Sequence, residues 1–557
     1  MTGGLIQLVA KGHQDVFLTE DPQITFFKVV YRRHTNFSVE CVPQRFIHKP
    51  NFGEKATCIL TKSGDMISNM YLVVILPVVP KILMSTGEED QLIKFAWLKK
   101  IGYALIKEIN IEIGGKLIDR QYGEWLNVWS ELTEHYTPAI QKMIGDVEEL
   151  TSFSNGKDAY KVYVPLKFWF CRYQGTYLPI GVLHLTEVKI NIELNTLDKC
   201  SMIGPTNYIQ MYQDMVNYIP FEYIEQNIDG NLASGIFISF DITTKRMYYI
   251  KLTDQDFQSM SLSILSDESF NLTTVVNALK NPYNEKFMIH GMTSHYASYP
   301  SFNAVEKTYH ISSQYNLTIK ECFLLVDYIY VEDDERKRMY QSKHEYLIEQ
   351  LSQTIIRSIN NRNNTFKVDV HNPSRLFLWM GQQSQFGDTC FNYTNNYRRY
   401  QWYNEFEDIA LKQSLIDIDR EDIYNVIRYR IDESNSRKLY TGDFVGKSLI
   451  KKATILLNGY EMLSYRDSDY FTDVQVYQNF KFAPKDGTNI KTFDLFSNQY
   501  QPSGSCNMGK INNVQLQFQL DDVINLNNGA VVRVYAICYN VLRFISGHAG
   551  VVFSEQI

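Results

Sequence analysis

The chain has 557 residues, 45% of them hydrophobic and 21% charged, a balance that excludes a disordered or fibrous protein and a length that calls for about two to four domains. Its 55 lysines and arginines against 62 aspartates and glutamates leave a net charge of −7, which speaks against binding nucleic acid through a general basic surface.

From the N-terminus, Leu5 to Ala10 is too short for a secretory core and no basic segment precedes it, so no export signal is expected. The longest apolar run, Met70 to Pro80, is interrupted by Pro77 and falls short of the roughly 20 residues of a membrane helix. A soluble chain made in the cytosol is the expectation. Its eight cysteines (41, 58, 171, 200, 322, 390, 506 and 538) contain no CxxC pair, which predicts reduced, mostly buried thiols.

Aromatic residues make up 14% of the chain, and short alternating runs broken by Gly, Asn and Asp favour strands. Ile111 and Ile113 alternate with polar neighbours before Gly114-Gly115 turns the chain into Lys116-Leu117-Ile118, the pattern of a tight hairpin whose turn needs positive φ. The same unit recurs far downstream, where Ala453, Ile455 and Leu457 alternate before Asn458-Gly459 and Tyr460 to Leu463. In both copies an acidic and aromatic segment follows, Asp119 to Trp129 and Tyr465 to Phe471. Val188, Ile190, Ile192 and Leu194 form another alternating strand, matched by Val514, Leu516, Phe518 and Leu520. Copies in the same order in each half predict duplication of one all-β unit. The halves meet near Val331 to Gln353, where Asp333 or Asp334 is placed to cap a helix and the charged run reads as a connector. Residues from about Cys200 to Gln314 have no counterpart in the second half and carry strands of their own at Gly235–Phe240 and Met247–Leu252, so they read as a surface insertion. A shorter polar stretch, Gly381 to Tyr403, belongs to the second half.

No motif assigns a catalytic, cofactor or metal residue. The run Gly442 to Ser448 has three residues between its glycines where a phosphate-binding loop needs four, and it leads into a strand-like segment. Asp417 to Glu421 and Asp467 to Asp469 lack the glycine of a calcium loop. His344-Glu345 has Ile348 in place of a second histidine, His290 and His295 stand alone in a loop-like segment, and no GxSxG elbow occurs. Five Asn-x-Ser/Thr sequons start at Asn36, Asn271, Asn316, Asn363 and Asn392; the last four are the sites to consider for glycosylation.

The opening Gly3-Gly4-Leu5-Ile6-Gln7-Leu8, with Gln14 to Thr19 and Pro22 to Phe37, closely resembles the major capsid proteins of nucleocytoplasmic large DNA viruses. The resemblance recurs at Ile113-Gly114-Gly115, Gly123-Glu124-Trp125-Leu126-Asn127, Val164-Pro165-Leu166, Asp334-Glu335-Arg336, His344 to Gln350, and Tyr539 to Arg543 with Ser546-Gly547. It implies an all-β fold of two tandem eight-stranded jelly rolls with long loop insertions and a few short helices. The division it suggests is an N-terminal arm 1–24, a first roll 25–335 holding the insertion 200–314, a linker 336–353 and a second roll 354–557. The implied role is structural and without catalysis: homotrimeric, pseudo-hexagonal capsomers tiling the icosahedral shell, in a virion assembled in the host cytoplasm. The implied partners are further copies of the chain, neighbouring capsomers, minor capsid and penton proteins, and indirectly an internal membrane, with no sequence-specific contact to nucleic acid. Rival readings are a minor capsid or scaffolding protein and a glycan-binding jelly-roll surface protein.

Overall fold

Alternation of apolar and polar residues governs both halves of the chain, and each half folds as a pair of antiparallel sheets packed face to face. The computed structural model describes residues 3–10, 21, 34–260 apart from 85, 91, 229 and 230, 287–309 apart from 293 and 295, 315–384, 391–394, and 447–553 apart from 485, 486 and 527. In the first half β1 (Phe37–Arg45), β2 (Lys55–Ile59), β3 (Met66–Ile75), β4 (Ile106–Ile113), β5 (Lys116–Gln121), β6 (Lys161–Pro165), β7 (Val188–Leu194) and β8 (Glu321–Val331) pair in the orders β1-β8-β3-β6 and β2-β7-β4-β5. In the second half come β9 (His344–Ile359), β10 (Asn363–Lys367), β11 (Pro373–Gln383) and β12 (Ile450–Leu457). They are followed by β13 (Tyr460–Glu461), β14 (Thr488–Thr492), β15 (Val514–Leu520) and β16 (Ala530–Ile545). These pair as β9-β16-β11-β14 and β10-β15-β12-β13, with short edge strands added. Each strand of the first half therefore has its counterpart eight strands later, at the same place in the same order. This is the duplication expected from the strand pattern, and it takes the form of the two tandem eight-stranded jelly rolls that the resemblance implies.

The local causes are visible at matching positions. Val188, Ile190, Ile192 and Leu194 of β7 are buried while the residues between them are half-buried, and Val514, Leu516, Phe518 and Leu520 of β15 repeat the pattern. Each such side chain contributes roughly 1.5 to 3 kcal/mol by leaving water. The β4–β5 hairpin turns at Gly114 and Gly115, with φ of 59° and 76°, and the β12–β13 hairpin at Asn458 and Gly459, with φ of 52° and 85°. Both central residues are left-handed, as a two-residue turn matched to strand twist requires. A Cβ on Gly115 would meet nothing within 4 Å, so Gly115→Val is expected to lose about 1–2 kcal/mol through the backbone alone. A denaturant midpoint unchanged by the substitution would contradict this turn geometry.

Between the halves, the connector differs from the sequence reading in extent. A helix spans Asp333–Gln341, with Glu332 as its N-cap in place of Asp333 or Asp334, and from His344 onward the chain is already β9. The charged and polar run His344 to Gln353 is strand because it ladders against β16, from His344 opposite Phe544 to Gln353 opposite Tyr535. The helix is tied to the first roll by Asp65, which accepts from Arg336 Nε at 2.7 Å and from the backbone N–H of Val331 at 2.9 Å. Burial opposes ionisation of Asp65, but the bonds from Arg336, Val331 and Tyr340 outweigh it and hold the carboxyl below its ordinary range.

The long stretch between β7 and β8 forms a seven-stranded sheet of its own that includes Tyr223–Ile228, Asn231–Asp241 and Arg246–Lys251. One face packs beneath its own loops through Ile209, Ile224, Phe237 and Tyr249; the other sets Ile236, Ile238 and Ile250 against Ala96 and Phe153 of the first roll. Among the described residues no helix is long and apolar enough to cross a membrane.

Candidate functional site

The feature that turns two sandwiches into one rigid body is the seam between them, and its centre is helix α1 (Gly123–Thr133). The helix starts flush on the segment before β4 because Gly123 has no side chain. A Cβ there would collide with the carbonyl oxygens of Tyr103 and Ile106. Trp125 and Trp129 stack with ring centroids 5.1 Å apart, and Trp125 lies 5.5 Å from Tyr535 on β16. Leu376, Leu378 and Met380 of β11 and Tyr535 and Ile537 of β16 join the same core as α1, while Phe377, Trp379, Val534 and Ala536 between them face the second roll's own core. The β9-β16-β11-β14 sheet is thus covered on both faces, which explains the unbroken apolar run Leu376 to Met380.

Around this apolar centre runs a set of buried charges. Glu124 accepts from Arg533 Nε at 2.8 Å and from the Tyr535 hydroxyl at 3.2 Å. Glu349 at the edge of the second roll is shared by Arg172 of the first, at 2.7 Å, and by Arg375. Arg375 also donates to Asp494 at 2.7 Å and to the carbonyls of Ser497 and Gln499. Tyr173 and Tyr500 stack across the seam at 4.4 Å, and the Tyr500 hydroxyl donates to the Leu347 carbonyl. A cavity of about 310 Å³ opens here, lined by Lys167, Cys171, Arg172, Glu134, Glu349 and Arg375 among others. Burial pushes the Cys171 thiol up to about 12, far from the thiolate that nucleophilic chemistry needs. The charges pair with one another across the joint, an arrangement suited to fixing the relative pose of two bodies.

Asp119 at the end of β5 belongs to the same joint. It accepts from the backbone N–H of Leu351 on β9 at 3.0 Å and from Gln121 at 3.2 Å. Burial pushes its carboxyl up to about 6, against the opposing pull of the Leu351 N–H and Arg172. A carboxyl whose folded pKa is raised stabilises the fold fully below its unfolded value near 4, and that contribution is lost as pH rises through about 6. Asp119→Asn keeps an acceptor for Leu351 and removes the charge. Its stability relative to the parent is therefore expected to improve progressively between pH 4 and pH 6 in urea titrations, and a difference that stays constant over that range would refute the assignment.

The candidate residues singled out by motif fall elsewhere, and the structure does not bring them together. Asn316 and Asn363 are exposed; Asn392 is 8% exposed and its side-chain oxygen accepts from the N–H and hydroxyl of Thr394, so a sugar has no access to it. Asn271, His295, Asp417 to Glu421, Gly442 to Gly446 and most of Gly381 to Tyr403 lie outside the described residues. Asp467 pairs with Lys452 at 3.3 Å on the surface, and among the described residues no cluster of three or more metal-ligating side chains occurs. The seam itself went unread in the sequence. Its signals are the Trp125 and Trp129 spacing of one helical turn and the apolar run at 376–380.

Two family models cover most of the chain, one described as the major capsid protein N-terminus over residues 25–230 and one as the large eukaryotic DNA virus major capsid protein over residues 335–550. The chain is 37% identical to the "Probable capsid protein 4" of Acanthamoeba polyphaga mimivirus and 30% identical to the major capsid protein of Phaeocystis pouchetii virus, with 100% of both chains covered in each case. Among solved structures it is similar in fold to a chain of the PBCV-1 virus capsid quasi-atomic model, with TM-score 0.56, 19% identity, and coverage of 95% of this chain and 100% of that one. The Faustovirus major capsid protein gives TM-score 0.55 at 11% identity, covering 96% of this chain and 94% of that one.

Proposed function

This chain belongs to the family of large eukaryotic DNA virus major capsid proteins, and from that premise we propose that three copies close into a ring of six rolls, a pseudo-hexagonal capsomer that tiles the virion shell. The observation that carries the reading is the strand-for-strand repeat of topology, β1-β8-β3-β6 with β2-β7-β4-β5 against β9-β16-β11-β14 with β10-β15-β12-β13. Two like bodies in one rigid chain make a threefold ring nearly sixfold in outline, and a sixfold outline packs a plane without gaps. The buried charges and aromatic stacking of the seam support it, because a hinged pair of rolls would not hold that outline.

The finer parts of the proposal extend the family reading. The arm 1–24 contacts minor capsid proteins on the inner side, penton proteins close the vertices, and the internal membrane is reached only through these partners. A 200–314 insertion on the outward face accompanies this reading, with the second roll beginning at β9 (His344–Ile359), as do synthesis in the host cytoplasm and Asn316 and Asn363 as sugar acceptors. Light scattering of the purified protein tests the central claim. A species at three times 65.0 kDa is expected, and a monomer of 65.0 kDa at micromolar concentration would overturn it.

A further inference from the structure

The cavity of about 310 Å³ at the seam is walled by both rolls. Lys167 and Arg172 come from the segment after β6 and Trp129 from α1, while the second roll supplies Arg375, Lys481 and the loop 497–500. Among the described residues four cations line it, Lys167, Arg172, Arg375 and Lys481, against two carboxylates, Glu134 and Glu349. Even counting Asp494, which pairs with Arg375, the cations remain one in excess.

The hydrogen-bonding groups that the joint leaves open decide what the cavity can hold. Both carboxylates are engaged: Glu349 accepts from Arg172 and Arg375, and Glu134 from Lys167 and from the Ser130 hydroxyl at 2.9 Å. Several donors are not. Arg172 directs Nε to the Lys167 carbonyl and Nη1 to Glu349, both at 2.7 Å, and its Nη2 makes no bond among the described residues. The guanidinium lies 5.0 Å over the Trp129 ring, which holds it in place. Lys167 engages one of its three N–H groups. Lys481 and the side-chain amides of Asn498 and Gln499 are exposed, and none has a partner among the described residues. Open donors beside satisfied acceptors select an anion, and a guanidinium fork flanked by ammonium groups suits phosphoryl oxygens. The volume stands at the lower end of small-molecule sites, roughly 300–1,000 Å³, and donors contributed by two rolls call for more than one phosphoryl group.

We propose that this cavity binds a small polyphosphate, free or carried by a nucleotide, gripped by Lys167 and Arg172 of the first roll and by Lys481 and Asn498 of the second. Such a ligand bridges the rolls, so it binds them only when docked and stabilises the joint by mass action. Every residue concerned belongs to one chain, and the site is therefore independent of the trimer reading and goes beyond it.

Titration calorimetry of the full-length protein with sodium tripolyphosphate and, separately, with ATP, in magnesium-free buffer of fixed ionic strength, tests the site. One equivalent of tripolyphosphate per chain is expected to bind, and the melting temperature should rise with its concentration. Lys481→Glu and Asn498→Asp, both at exposed positions, should melt with the parent in the absence of ligand and bind tripolyphosphate about tenfold more weakly, a loss of about 1.4 kcal/mol. Lys116→Glu, at an exposed position that does not line the cavity, should bind as the parent does. Equal affinity for ATP and tripolyphosphate places recognition in the phosphate chain, tighter binding of ATP makes the nucleotide the ligand, and weaker binding of ATP makes it the free polyphosphate. No saturable binding of either probe, an affinity unchanged in both cavity variants, or equal weakening by Lys116→Glu and Lys481→Glu overturns the proposal.

Discussion

Arg375→Ala is expected to be among the most damaging single substitutions in the molecule, at about 3–5 kcal/mol, because it strips one partner from a buried set of charges. The Arg375 side chain is 4% exposed, and its guanidinium serves four acceptors: Asp494, Glu349 and the carbonyls of Ser497 and Gln499. Without it, the Asp494 carboxylate keeps the Ser497 hydroxyl, and Glu349 keeps Arg172. Neither replaces the lost charge beside carboxylates that are themselves almost fully buried. Arg375→Lys should recover less than half of the loss, since one ammonium group cannot reproduce the planar fork that reaches two carboxylates and two carbonyls together. Adding Asp494→Ala to Arg375→Ala should restore part of the stability by removing the stranded charge. Urea titrations of the four chains decide the matter. A single-variant loss below about 1 kcal/mol would mean that water reaches these groups.

The parts of this fold that were legible in the sequence are those written in neighbouring residues. Gly114-Gly115 and Asn458-Gly459 specify their turns locally, and the alternation at 188–194 and 514–520 specifies which face each strand buries. Their repetition in the same order carries the duplication without reference to any long-range contact. The seam was illegible for the opposite reason. Arg172, Glu349, Arg375 and Asp494 lie far apart in the chain and acquire meaning only when two rolls dock. His344 to Gln350 shows tertiary context overriding local character: its charges and polar groups suit a connector, yet pairing with β16 makes it the edge strand that carries the joint. Asn392 makes the same point about sites, since a sequon records composition and its burial is decided by the packing around Thr394.

Trp125→Ala is expected to cost about 3–5 kcal/mol, through lost transfer energy and the cavity left behind, and the loss should separate the rolls before it unfolds either one. Trp125 is fully buried between Trp129 and Tyr535 and belongs to the core continuous across the seam. Its indole N–H has no hydrogen-bond partner among the described residues, so its contribution is packing, and Trp125→Phe, which keeps a ring in the space, should cost less than half as much. The second roll retains its own core around Trp379, Phe471, Phe518 and Val534, which does not depend on Trp125. Scanning calorimetry of the parent should therefore give one transition, and the alanine variant two. A single transition in the variant, at the parent's temperature, would mean that α1 rests on the second roll without holding it.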